Sequence, residues 1–364
     1  MASSVEKVSL PMHMMGELVR MAPWFWIEAG NMETSFLSAK LKKISIDRPV
    51  FIAGLARAGS TFLLEVLAAH KDTSTHKNRD FPLVFAPYMW SKLVDLMPGG
   101  GKPPVERAHG DRLLVSSESP EAMEEPIWMS FFPGAHNPQE YNALDAGTSH
   151  KGFEKFFTEH IKKIMLLRGG GRYVSKGNYN AARITYLSKL FSGGLFVVPV
   201  RSPVTHIGSL LRQHERFLKI HGEDSRARAQ MRQAGHFEFG ADLAPLNLGK
   251  GKYKAQELNS ENRHAMIKAW AGYWAEVYGY INDLLESDGD LKKRTQVVRF
   301  ESLMEDPKTV LGQMLSFCTL PDDGLVDTFS GKVSPPDYYD PGITEEDRAV
   351  ILDVTSGVRQ RFGY

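Results

Sequence analysis

The chain has 364 residues, 42% of them hydrophobic, enough to bury one large core and far from the composition of a disordered protein. A formal charge of +1 excludes a global field that would draw it to nucleic acid or to an anionic membrane, so binding has to be argued site by site. The single cysteine, Cys318, excludes an internal disulfide and a cysteine-based metal centre, and a buried thiol in a reducing compartment is expected.

Residues 1–47 read as an N-terminal helical segment, in which the aromatics of "MAPWFWIEAG" (Met21 to Gly30) recur at near-helical spacing and are expected to pack. No positively charged leader with an apolar core precedes Pro11. The longest apolar run, Leu195 to Val200, is far short of the roughly 20 residues that cross a bilayer. A cytoplasmic protein with no membrane insertion is expected. Val50 to Gly54 ("VFIAG") is an apolar run without alternation, the pattern of a strand covered on both faces. It leads into a helix at Ser60 to Ala69, with Ser60 or Thr61 placed to cap it.

A second unit follows: "YVSK" (Tyr173 to Lys176), the helical "NAARITYLSKLF", a Gly-Gly turn and the strand "LFVVPV", which runs into another helix. His206 and His214 lie eight apart on that helix without a carboxylate or cysteine at ligand spacing, so no metal is expected. Residues 218–262 are polar and charged and read as an insertion or lid. A packed aromatic helix spans Ala269 to Tyr280. A last strand, Thr295 to Leu303, precedes an Asp-Pro helix start. Strands alternating with helices predict an α/β protein with a three-layer, P-loop-like fold: a central parallel sheet flanked by helices, plus a helical cap or insertion. One domain over 1–364 is expected, with its core in 48–217 and 263–330 and a C-terminal tail from 331.

The turn Arg57-Ala58-Gly59-Ser60-Thr61 presents amides and hydroxyls at a helix amino terminus, a place that suits an anion. It lacks the Gly-Lys-Ser/Thr ending that holds magnesium on a nucleoside triphosphate. Arginine stands there instead, a fixed cation whose planar fork can bond two anionic oxygens.

"RPVFIAGLARAGSTFLLEVL" resembles the phosphosulfate loop of sulfotransferases that use 3′-phosphoadenosine 5′-phosphosulfate (PAPS), in the bacterial-type branch related to tyrosyl-protein and carbohydrate sulfotransferases. Three further blocks agree: "VVPVRSPVTHIGSLLRQ", "VSKGNYNAARITYLSKLF" and "VVRFESLMEDPKTVLGQML". The resemblance runs from about Pro49 to Phe317. It implies that Arg57, Ala58, Gly59, Ser60, Thr61 and Phe62 cradle the phosphosulfate with Lys176, and that Arg201 and Ser209 hold the 3′-phosphate. It also implies PAPS as co-substrate, 3′-phosphoadenosine 5′-phosphate (PAP) as product and no metal, because a sulfuryl group carries less charge than a terminal phosphoryl group. Lys250 and Lys252, in the basic run "GKGKYK", are candidates for a loop that closes over the nucleotide.

Sulfuryl transfer develops charge on the departing phosphate oxygen, and Arg57 and Lys176 are the candidate cations for it. The acceptor also needs a base. An ungapped alignment puts Asn78 where relatives carry a glutamate, so Asp80 is the first candidate and His76 the second, with an Asp80–Arg79 ion pair as the structural alternative. His109 and Glu118 could instead reach over the site, and Glu124 and Glu125 could line an acceptor pocket or form a solvated helix turn. The expected partner is a small-molecule, lipid or carbohydrate acceptor, not nucleic acid, and a homo-oligomer is left open. A P-loop small-molecule kinase and an inert nucleotide-binding relative are the alternatives.

Overall fold

Five strands form one parallel sheet in the computed structural model, which describes residues 9–96, 104–106, 114–333 and 342–364. In chain order, α1 (Leu10–Met21) and α2 (Pro23–Leu41) precede β1 (Val50–Ala53), α3 (Ser60–Ala68) and β2 (Thr73–Ser74). Helix α4 (Pro87–Leu96), a hairpin of β3 (Val105–Glu106) and β4 (Leu114–Val115), α5 (Glu125–Phe131) and α6 (Lys151–Arg168) lead to β5 (Arg172–Gly177). Then come α7 (Ile184–Leu190), β6 (Leu195–Val200), α8 (Pro203–Glu223), α9 (Ser225–Ala234) and α10 (Arg263–Ser287). The chain continues through α11 (Gly289–Lys293), β7 (Thr295–Arg299), α12 (Phe300–Glu305), α13 (Pro307–Phe317), α14 (Leu325–Ser330), α15 (Glu345–Val354) and α16 (Ser356–Arg359).

The strand order is β2-β5-β1-β6-β7, so β1 lies between two strands that come much later in the chain. The pleat sends Val50, Ile52, Val174 and Val197 to one face, against α3 and α13. Phe51, Ala53, Tyr173, Phe196 and Val198 go to the other, against α6, α7 and α10. Every residue of β1 and β6 is buried, which is why these strands read as unbroken apolar runs. Such a sheet opens a crevice at the carboxyl ends of its central strands, where the chain departs from β1 to one side and from β6 to the other.

Residues 218–262, expected as an insertion or lid, pack into the body of the protein: α8 runs on to Glu223, α9 follows, and Phe239, Leu246 and Leu258 are buried in the main core. The aromatics between Met21 and Gly30 only partly pack, since Trp24 and Phe25 are exposed. The helix of Ala269 to Tyr280 does pack, with Trp270, Trp274 and Tyr278 fully buried. Cys318 is buried too, and burial pushes its thiol up to about 12. Among the described residues no helix is long and apolar enough to cross a membrane.

Candidate active site

The turn after β1 is built from two left-handed residues, Arg57 at φ 69° and Gly59 at φ 96°. Such a conformation is strained for arginine, and alternation of this kind turns successive amides inward to make a concave anion site. Among the described residues no side chain caps α3, whose N-cap is Gly59, so its first-turn amides face the same concavity. Gly59 also keeps clear of Phe300, whose ring a Cβ there would meet at 3.3 Å.

His206, one turn into α8, holds this loop from behind. Its ring lies 2.8 Å from the Ala56 carbonyl, which can only accept, so Nε2 carries the hydrogen. Burial, with Arg201 and Arg57 nearby, drives the imidazole pKa down to about 3 against the effect of that hydrogen bond, and the ring is neutral.

On the β6 side, Arg57 Nε donates to Ser209 Oγ at 3.4 Å, and Arg201 Nη1 donates to the Arg57 carbonyl at 3.4 Å. Arg201 Nε donates to Thr205 Oγ1 at 3.1 Å, and its guanidinium lies 4.5 Å from the centre of the Phe300 ring. Both Arg201 and Ser209 are buried. The turn, Arg201 and Ser209 thus meet in one cluster, with the Arg57 head leaning toward α8.

On the β5 side, the register pairs Lys176 with Ile52, which brings Lys176 to the carboxyl end of the central strand. Its Nζ donates to Thr61 Oγ1 at 3.1 Å and to Glu121 Oε1 at 3.2 Å. Glu121 is partly open to solvent, and its segment is placed by its own amide donating to the His76 carbonyl. His236 lies within electrostatic reach of both Glu121 and Lys176. It pairs with Glu238 at 3.6 Å, and Asn178, just past β5, donates to Glu238 at 2.6 Å. Burial opposes the charged imidazole, yet Glu238 and Glu121 raise the His236 pKa overall. Phe237 and Tyr179 flank the ring of His136.

Asp80 and His76, the first two candidates for the base, are both enclosed. Asp80 is fully buried, with His76 Nδ1 at 3.0 Å, the Lys77 amide at 2.9 Å and Arg168 on its other oxygen. His76 is buried between Asp80 and His160. These contacts outweigh desolvation and lower the Asp80 pKa, which suits an ion pair that organises the interior. Arg79 is not its partner, since it pairs with Asp95 and with Glu118, which also holds Lys77 at the surface. His109 lies outside the described residues.

Glu124 and Glu125 are not a solvated turn. Glu124 is buried and accepts from the Tyr173 hydroxyl, while Arg183 grips both oxygens of Glu125, at 2.8 and 2.5 Å. Burial would raise the Glu125 pKa, but Arg183 and His136 bring it down to about 2. Phe62 packs on Phe329, 6.0 Å between ring centres. Lys250 is tied to Asp283 at 2.8 Å, and the amides of Lys250 and Lys252 donate to Glu276, so this loop is anchored along α10 rather than poised over the turn. Among the described residues no group of three or more histidine, cysteine or acidic side chains is arranged to hold a metal.

Glu121, His236, Glu238 and Phe300 escaped the sequence reading. Glu121 is one of several carboxylates in "SESPEAMEEP", and nothing in their spacing singles it out. His236 and Glu238 sit in the polar insertion, which carries no motif.

A sequence model described as "Sulfotransferase family" matches residues 49–240, more than half of the chain. No curated protein matches it. In fold the chain is similar to the sulfotransferase STF9 of Mycobacterium avium, with a TM-score of 0.53 at 11% identity, over 91% of this chain and 81% of that one. It is also similar to the sulfotransferase STF1 of Mycobacterium tuberculosis H37Rv, with a TM-score of 0.51 at 14% identity, over 89% and 81% of the two chains. The matched residues contain the turn, β5 with Lys176, Arg201 just past β6 and Ser209 on α8, and the chain is a sulfotransferase, a member of the sulfotransferase family.

Proposed function

We propose that the enzyme moves the sulfuryl group of PAPS to a hydroxyl or amine of a small-molecule, lipid or carbohydrate acceptor by in-line displacement. What supports this reading is one arrangement: two separate cationic grips on the two sides of β1, joined by the turn. Lys176 with Thr61 suits the phosphosulfate end, and Arg201 with Ser209 suits the 3′-phosphate. Arg57 sits between the two, and the amides of Ala58, Gly59, Ser60, Thr61 and Phe62 line the turn.

In this reading the acceptor oxygen attacks sulfur and gives up its proton, the new S–O bond forms, and the S–O bond to the 5′-phosphate breaks with its electron pair on the departing oxygen. The Lys176 ammonium stabilises that oxygen. Glu121 takes the acceptor proton, because it is the carboxylate that shares Lys176 with the turn and is open to an incoming molecule. Asp80 and His76, enclosed by their own contacts, hold the wall behind it. A kinase reading lacks the Gly-Lys pair of a triphosphate loop.

The test is a screen of metabolite extracts for a mass gain of one sulfuryl group that depends on PAPS, followed by the best acceptor with Glu121→Gln. Turnover is expected to fall ~10²–10⁴-fold, the range of general base catalysis, with PAP affinity nearly unchanged. Full activity of the glutamine variant removes Glu121 from the mechanism, and transfer from ATP instead of PAPS removes the donor assignment.

A further inference from the structure

Among the described residues, eleven of the fourteen large apolar side chains that are strongly exposed lie on just three helices, α1, α2 and α4. They form stripes. On α2, Phe25, Met32 and Phe36 recur at steps of seven and four, with Ala29 and Ala39 between and beyond them, and Leu93 and Leu96 continue the pattern on α4. Phe36 and Leu96 are each 81% exposed and Trp24 is 69% exposed. The helices are neighbours: the Trp26 indole donates to the Leu18 carbonyl, and the Met89 amide donates to Glu33.

We infer that this face is the contact surface between two copies of the chain. Half-exposed side chains of this size show roughly 100 Å² each, so the eleven present on the order of 1,000 Å². That exceeds the ~300–600 Å² of the largest patch on a typical monomer and reaches the ~800 Å² per partner that a standard interface buries. Steps of four and seven along a helix are the spacing at which knobs of one helix enter holes of another, and a self-complementary patch closes under a two-fold axis.

Charge selects a protein partner over a membrane. The surface charges of these helices balance, with Glu17, Glu28 and Asp95 against Arg20, Lys40 and Lys92. Glu17 and Arg20 neutralise each other at 2.8 Å. A face that sits on anionic lipid carries a basic excess instead.

The experiment is sedimentation velocity on the full chain over a wide concentration range, with Phe36→Glu and Leu93→Glu as single variants on different helices. The wild type is expected to sediment as a dimer, and each variant to raise the dimer dissociation constant at least tenfold while keeping the wild-type circular dichroism. Two results would each overturn the inference: a monomer at every concentration, or a dimer that both variants leave intact. Flotation of a monomeric wild type with vesicles of phosphatidylserine and phosphatidylcholine, abolished by the same variants, would overturn it in favour of a membrane face.

Discussion

Replacing Lys176 with methionine keeps most of the side-chain volume and removes one charge from the middle of the crevice. The Lys176 side chain is 7% exposed, so its field is little screened by solvent. Its Nζ lies 3.1 Å from Thr61 Oγ1 and 3.2 Å from Glu121 Oε1, held before any substrate arrives. A preorganised donor aimed at charge that develops in the transition state is worth about 2.7–4 kcal/mol, or ~10²–10³ in turnover. In the proposed reading PAP binding is spread over Arg57, Arg201, Ser209 and the turn amides, so its affinity should fall by about tenfold or less. The assay is single-turnover sulfuryl transfer at saturating PAPS with the acceptor found by the mass-gain screen, alongside calorimetric titration with PAP. Lys176→Arg, which restores charge with a different reach, is expected to recover part of the rate. If affinity for PAP falls as steeply as turnover, Lys176 is a binding residue only. If neither changes, the phosphosulfate end has been put on the wrong side of β1.

PAP should raise the melting temperature while ATP at equal concentration does not, and Arg201→Ala should abolish the difference; equal protection by ATP strips Arg201 and Ser209 of their assignment. His206 predicts acid sensitivity: its folded pKa near 3 lies below the unfolded value, so the unfolded chain binds the extra proton between about 3 and 6.5 and stability rises with pH across that window. Between pH 4.5 and 7 this amounts to about 2.5 kcal/mol, and denaturant unfolding of His206→Gln should show a correspondingly smaller loss on acidification. An unchanged loss means that His206 does not carry it. The His236 ring should titrate above the ordinary histidine value in an NMR pH series, and Glu238→Gln should lower it, because Glu238 is the anion that sustains the charged form against burial. The associated stability is present below the unfolded pKa and lost as pH rises through the raised folded one.

The apolar runs of β1 and β6 and the Gly-Ser turn at the start of α3 could be read from the chain itself, because a doubly covered strand needs continuous apolar residues and an anion turn needs positive φ. Arg201 at the strand end and Ser209 two helical turns on could be paired from the family resemblance of their block. The partner of each polar group could not, since it depends on which strands lie side by side. Asp80 looked available in the sequence, and it is enclosed by Arg168, 88 residues further on, and by His76. Glu121 looked like one acid among many, and the parallel register of β5 against β1 carries Lys176 to it. Local pattern determined the layers and the Gly-Ser turn, and the family resemblance supplied the candidate cations. Tertiary structure alone decided which carboxylate is caged and which is open, because burial and ion pairing are set by segments that meet only after the sheet has formed.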